Sequence, residues 1–263
     1  CATNPIMHLC IKYLWLSILY GTTVVILGQS NMEWHLESVH MPRNIEPLET
    51  QAQVVVAVVD DGLRTTHENI RPYLWQNPGD PPFNGKDDDQ NGYLDDTAGW
   101  DVADGDSNTM PSSVRLREYY HGTHLAGIMT EMMEWALGED ARKHFKILPV
   151  KTISDFAQRT YLKSGFKGIE YAASVGADII LCAWSVGQMT PEEARIVQRA
   201  ASRGCFIVAS VGNFPENKEV FPAAHESVLA VAGLAAGGGK MERSNYGTFV
   251  DLSAPGEEIL GAG

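Results

Sequence analysis

The run Val54 to Val59 has no polar position that could face water. A short, unbroken, β-branched run of this kind predicts a strand buried on both faces. Similar apolar segments at Lys146 to Lys151, Asp178 to Trp184, Cys205 to Ser210 and Val228 to Ala232 predict further strands. Between them, longer segments from Gly122 to Trp135, Leu162 to Val175 and Pro191 to Ser202 repeat their apolar residues at helical spacing. The last has a defined start, with Thr190 as cap, Pro191 in the first helical position and Glu193 placed to reach back in a capping box. Gly176 and Gly204 fit helix ends that turn into strands. Strand and helix in alternation predict an α/β fold, a doubly wound, mostly parallel sheet with helices on both faces. The longest irregular stretch, Arg71 to Tyr120, separates the first strand from the first long helix, and a connection of this length usually carries function.

The N-terminal part reads differently. Met7, His8 and Lys12 precede an uncharged apolar run from Tyr13 to Leu27, followed by Gly28-Gln29-Ser30. A positive start, a short apolar middle and small residues before a cleavage point predict a signal peptide over 7–30, cut after Ser30. The expected organisation is a leader at 1–30 and one globular domain at 31–263, truncated at its C-terminus, in a secreted or extracytoplasmic protein. An uncleaved leader would instead anchor the chain to a membrane, and a buried segment of the domain is the third reading. If Met7 is the true start, the residues before it are upstream translation, and the chain is a fragment of a longer product. Cys182 and Cys205 lie in apolar strands, where a free cysteine is a small buried hydrophobe, so no disulfide between them is expected.

A formal net charge of -13 argues against nucleic acid and anionic membrane surfaces as partners. Eight of the acids, Asp87, Asp88, Asp89, Asp95, Asp96, Asp101, Asp104 and Asp106, fall in one stretch without Lys or Arg, which points to a cation site. Within it Asp87, Asp89, Asn91, Tyr93, Asp95 and Asp96 alternate around Gly92 like the start of a calcium loop without its closing glutamate. Structural Ca2+ is the expected cofactor; a solvated acidic loop is the alternative.

Asp60 follows the first strand directly, at the sheet edge where reactive groups of open parallel sheets collect. A carboxylate there can fix an imidazole tautomer, although Asp-Asp-Gly could equally end a strand, and Asp61 is the competing carboxylate. His121 opens an apolar helix beside the small residues Gly122 and Thr123, a position suited to a general base. The spacing of His121 and His124 could suggest zinc, but the glutamate of the His-Glu-x-x-His pattern is missing. Asn213 ends a strand after Val211-Gly212 and could donate its amide to an oxyanion, or simply serve as a turn residue.

Asp60-Asp61-Gly62, His121-Gly122-Thr123-His124-Leu125-Ala126-Gly127, Trp184-Ser185-Val186-Gly187, Gly212-Asn213 and Ala254-Pro255-Gly256 occur in this order, and from about Trp34 onward the sequence resembles the subtilase family of serine endopeptidases. The resemblance implies a seven-stranded parallel sheet. It makes Asp60 and His121 triad members and Asn213 the oxyanion residue. Ser185, Val186, Gly187 and Gly212 become substrate-binding residues, the first three as an extended edge that adds a substrate strand. The implied partner is a polypeptide substrate, and a monomer is expected.

The family's Gly-Thr-Ser block would follow Ala254-Pro255-Gly256 and is not in this sequence, so the fragment itself is expected to be inactive while its parent is the peptidase. A non-catalytic, peptide-binding subtilase-like domain is the alternative. Only residues 31–50 separate the leader from the first strand, less than a folding pro-domain of the family needs. Gly237-Gly238-Gly239-Lys240 lacks the spacing of a phosphate-binding loop, so no nucleotide is expected. The small residues Ala209 to Gly212, followed by Phe214, suggest a preference for large uncharged side chains before the scissile bond.

Overall fold

In a computed structural model the structure describes residues 34–43, 45, 53–81, 84–112, 119–157, 164–259 and 261–262. The leader expected at 1–30 lies outside the described residues, and among those described no helix is long and apolar enough to cross a membrane.

The elements in chain order are α1 (Trp34–Ser38), β1 (Val54–Asp60), β2 (Trp100–Asp101), α2 (His121–Leu137), α3 (Ala141–His144), β3 (Phe145–Lys151), α4 (Gly165–Ser174), β4 (Ile179–Cys182), α5 (Pro191–Ser202), β5 (Phe206–Ser210), β6 (Val228–Leu234) and β7 (Leu252–Pro255). The strands form one seven-stranded sheet in the order β2-β3-β1-β4-β5-β6-β7, with every pairing parallel.

The run at Val54 to Val59 has no polar face because both faces of β1 are covered. Side chains alternate along a strand, so Val56 and Val58 turn to one side, where they join Leu125, Met129 and Met132 of α2. Ala57 and Val59 turn to the other, into the cluster built on Phe166, Ile169 and Ala172 of α4, which continues over β5 through Val197 and Ala200 of α5. Each fully buried valine stabilises the fold by about 1.5–3 kcal/mol, so the central strand is well anchored on both sides.

Several boundaries differ from those expected, for local reasons. β4 is shorter than the apolar segment because the Asp178 carboxylate accepts the Val55 N–H at 2.8 Å and Trp184 has left the strand to donate to the Val59 carbonyl at 2.9 Å. The start of the α5 helix is as expected: the Glu193 N–H donates to Thr190 Oγ1 at 3.3 Å and the Thr190 N–H to Glu193 Oε2 at 2.7 Å. Cys182 and Cys205 are buried free thiols. β2 has only two residues and exists through its pairing with Val150 and Lys151 of β3.

From β1 the chain moves one way along the sheet, to β2 and β3, and from β4 it moves the other way, to β5, β6 and β7. The gap between the carboxyl ends of β1 and β4 is therefore the switch point of the sheet, the place where a crevice opens in such folds. Asp60 ends one of these strands, and Trp184-Ser185 follow the other.

Candidate active site

His121 Nδ1 lies 2.9 Å from Asp60 Oδ1 and 3.0 Å from Oδ2. The carboxylate is almost fully buried, while the imidazole is 24% exposed, so the ring is held from inside and open from outside. Asp60 is itself fixed at several points. Its Oδ1 accepts the Asp61 N–H at 2.8 Å, and its backbone carbonyl accepts from the Thr152 N–H at 2.9 Å and the Thr152 hydroxyl at 2.8 Å. The close approach of α2 to this strand end requires Gly122, where a Cβ would stand 2.4 Å from the Gly62 carbonyl oxygen. A buried acceptor on Nδ1 fixes the neutral imidazole with its proton there and leaves Nε2 the unprotonated ring nitrogen.

Asn213 stands beyond the carboxyl end of β5, on the same sheet edge, with its side chain exposed. The backbone on both sides of it is tied to one buried residue that sequence reading did not single out. The Asn245 N–H donates to the Gly212 carbonyl at 3.0 Å, and Asn245 Oδ1 accepts the Phe214 N–H at 2.8 Å. Gly212 has φ +90, and a Cβ on it would lie 3.0 Å from Ser185 Oγ and 3.2 Å from Asn245 Nδ2, so the turn admits only glycine. Lys240, from the glycine run without P-loop spacing, donates its ammonium to the carbonyls of Met241, Glu242 and Ser244 and so fastens the loop that carries Asn245.

The extended edge divides in two. Val186 exchanges both backbone hydrogen bonds with Phe221, at 2.8 Å each, so its main chain is occupied. Successive backbone groups of an extended segment point to opposite sides. The Ser185 carbonyl and the Gly187 N–H and carbonyl therefore face away from Phe221, and among the described residues they have no hydrogen-bond partner. Ser185 lies against Gly212, and the Val186–Phe221 pairing holds the Ser185 to Gly187 segment.

The six residues named as calcium ligands are placed unequally. Asp87 accepts the N–H groups of Asn91 at 3.0 Å and Gly92 at 2.9 Å. Asp89 and Asp96 share the side-chain amides of Asn77 and Asn91: Asn77 Nδ2 lies 3.0 Å from Asp89 Oδ2 and 2.6 Å from Asp96 Oδ1, and Asn91 Nδ2 lies 3.1 Å from an oxygen of each. Asp95 instead holds the turn at Asn84 and Gly85, and the Tyr93 ring packs edge-on against Tyr171 at 4.7 Å. Burial pushes the Asp96 carboxyl above the usual range despite bonds from Tyr171, Asn77 and Asn91. Among the described residues no group of three or more His, Cys, Asp or Glu side chains converges as a metal cluster.

Asp101 and Asp104, read with the same acidic stretch, have a different partner. They face the ammonium of Lys151, which is completely buried, together with Asp155. Part of the cation implied by that stretch is thus the protein's own.

The structure is thus an α/β protein with a carboxylate-held imidazole at the switch point of a doubly wound parallel sheet and an exposed asparagine turn on the same edge. The chain belongs to the subtilase family, whose sequence model (Peptidase_S8) matches residues 51–263. Among characterised relatives it is 28% identical over 207 residues to thermitase of Thermoactinomyces vulgaris and 29% identical over 209 residues to a halolysin-like extracellular serine protease of Natrialba magadii. It is 27% identical over 262 residues to an extracellular protease of Xanthomonas campestris. These matches cover 78%, 80% and 92% of this chain but 63%, 35% and 44% of the respective relatives. The fold is that of a cold-adapted subtilisin-like serine proteinase, with a TM-score of 0.60 at 21% identity over 89% of this chain and 76% of the other.

Proposed function

We propose that this chain carries the acid, the base and the oxyanion donor of a secreted serine endopeptidase acting on polypeptides. The observation that carries the reading is the pair of contacts from His121 Nδ1 to both oxygens of buried Asp60. With Nδ1 so engaged, Nε2 can take the proton of a serine hydroxyl as that oxygen attacks the peptide carbonyl, and Asp60 stabilises the imidazolium. Nε2 then returns the proton to the leaving amine. Asn213 supplies a side-chain donor to the oxyanion, held in aim by the two Asn245 bonds to its neighbours. A substrate strand pairs with the open groups of Ser185 and Gly187.

The test is hydrolysis of unfolded casein by the protein translated from the complete reading frame and collected from the medium. Sensitivity to a serine-directed sulfonyl fluoride and cleavage after large uncharged residues are expected. Asp60→Asn should lower kcat by about 10⁴, as in other triads, and Asn213→Ala by about 10²–10³, the loss known from subtilisin. Peptide binding without hydrolysis would make the domain a non-catalytic binder, and cleavage only after Arg or Lys would overturn the stated preference.

A structural calcium ion belongs to the same proposal. The donors around Asp89 and Asp96 are all oxygen-bearing side chains, as a hard cation requires. The Asn77 and Asn91 side-chain oxygens are taken by the Gly79 and Tyr93 N–H groups, so the carboxylates of Asp89 and Asp96 would be the ligands. The ion would offset the repulsion of this loop. A lower melting temperature in chelator, restored by added calcium, is expected; an unchanged one would refute the ion.

A further inference from the structure

Helix α2 begins with an uncapped turn. Its N-cap position is Tyr120, whose side chain makes no capping hydrogen bond, and the first N–H groups of a helix have no partner within it. Two of them are satisfied from another element. Asp61 Oδ2 accepts the His121 N–H at 3.1 Å, and Asp61 Oδ1 accepts the Gly122 N–H at 2.8 Å. His121 is thus held twice from adjacent residues at the end of β1, on its ring by Asp60 and on its main chain by Asp61.

We propose that Asp61 is a positioning residue for the base, clamping the start of α2 to β1 and adding a second negative charge to the surroundings of the His121 imidazole. A hydroxyl in this place would cap the helix without charge. The carboxylate is 5% exposed and stands beside Asp60, a costly place for a second anion. Burial and the Asp60 charge push Asp61 up to about 7, against the His121 charge and the two N–H bonds, which pull it down. By reciprocity, an ionised Asp61 favours the protonated imidazole, the species formed as His121 accepts a proton.

The other ionisable groups nearby are otherwise engaged. On β3 the Lys151 ammonium is bound to Asp101, Asp104 and Asp155; on β4 the Cys182 thiol is held protonated by burial and by Asp60; on α2 burial and the His121 charge lower His124 to about 4. The inference rests on the peptidase reading only in calling His121 the base.

Its test needs no turnover. The His121 ring would be titrated by nitrogen-detected NMR, and exchange of the His121 and Gly122 amides followed, in the full 263-residue chain and in Asp61→Asn and Asp61→Thr. Loss of the charge should lower the His121 midpoint by about one pH unit in both variants. Exchange of the His121 or Gly122 amide should rise about tenfold in both variants, since each keeps one acceptor oxygen where the carboxylate supplies two. An unchanged midpoint in the folded variants would overturn the proposal. So would failure of both variants to fold, since Asp61 would then serve the fold rather than the base. A protein without peptidase activity would refute the proposed function and leave these readouts standing.

Discussion

Replacing Lys151 by methionine removes one charge and little volume from the centre of the molecule. The Lys151 side chain is 0% exposed; its ammonium bonds Asp101, and it lies 3.1 Å from Asp155 Oδ1 and 3.6 Å from Asp104 Oδ2. Burial pulls the Lys151 pKa down, but bonds and charge from Asp101 and Asp155 outweigh it and hold it above the ordinary value, so the ammonium is charged. At an effective dielectric of about 20, unit charges 3–4 Å apart attract by about 4–5 kcal/mol. Desolvation of the ammonium offsets much of that, and removing one partner of a buried pair costs about 3–5 kcal/mol net because the other charge is left alone.

Lys151→Met is therefore expected to lose about 3–5 kcal/mol at pH 8, read from urea unfolding. The loss should shrink with acid. Burial already pushes the Asp101 carboxyl above its ordinary range, and without the cation it rises further. A carboxyl raised in the folded state above its unfolded value lets that state take up protons first, so the variant gains on the wild type as the pH falls. At pH 5 the deficit should be about half, and Asp101→Asn in the same chain should recover much of it at pH 8. A variant as stable as the wild type, or a deficit independent of both pH and Asp101, would refute the reasoning.

His35 is completely buried, and among the described residues neither ring nitrogen has a hydrogen-bond partner. Burial lowers its pKa from 6.5 to about 4, so the unfolded chain takes up a proton before the folded one does and stability falls as the pH drops from 6.5 toward 4. The loss should reach on the order of 3 kcal/mol and be absent in His35→Phe; parallel pH profiles of the two proteins in urea would count against it. Thr190→Ala breaks the capping box of α5 and should cost about 1 kcal/mol in the same assay, with Thr190→Ser close to wild type. Equal loss in both variants would show that the methyl group matters rather than the hydroxyl.

The features legible in the sequence are those set by neighbours along the chain. Val54 to Val59 announces a doubly covered strand because both of its faces are apolar, and Asp60 is placed at the sheet edge simply by following it. His121 opens α2 because the small residues after it let the helix reach that edge. What stayed hidden depends on partners far away in sequence. Lys151 is 50 residues from Asp101, so the acids before it read as a site for an external cation although one is already supplied. The two-residue β2 has no pattern of its own, since its hydrogen bonds are decided by β3. Val186 looks like its neighbours in the cleft edge, and only the pairing with Phe221 shows which of its faces is taken. Asp61 is the sharpest case. Beside Asp60 in sequence it is a rival for the imidazole, whereas the strand end sends one carboxylate to the ring of His121 and the other to its main chain. Adjacent identical residues thus acquire different work because Asp60 ends the strand while Asp61 stands in the bend that follows, a division that no spacing rule along the chain could reveal.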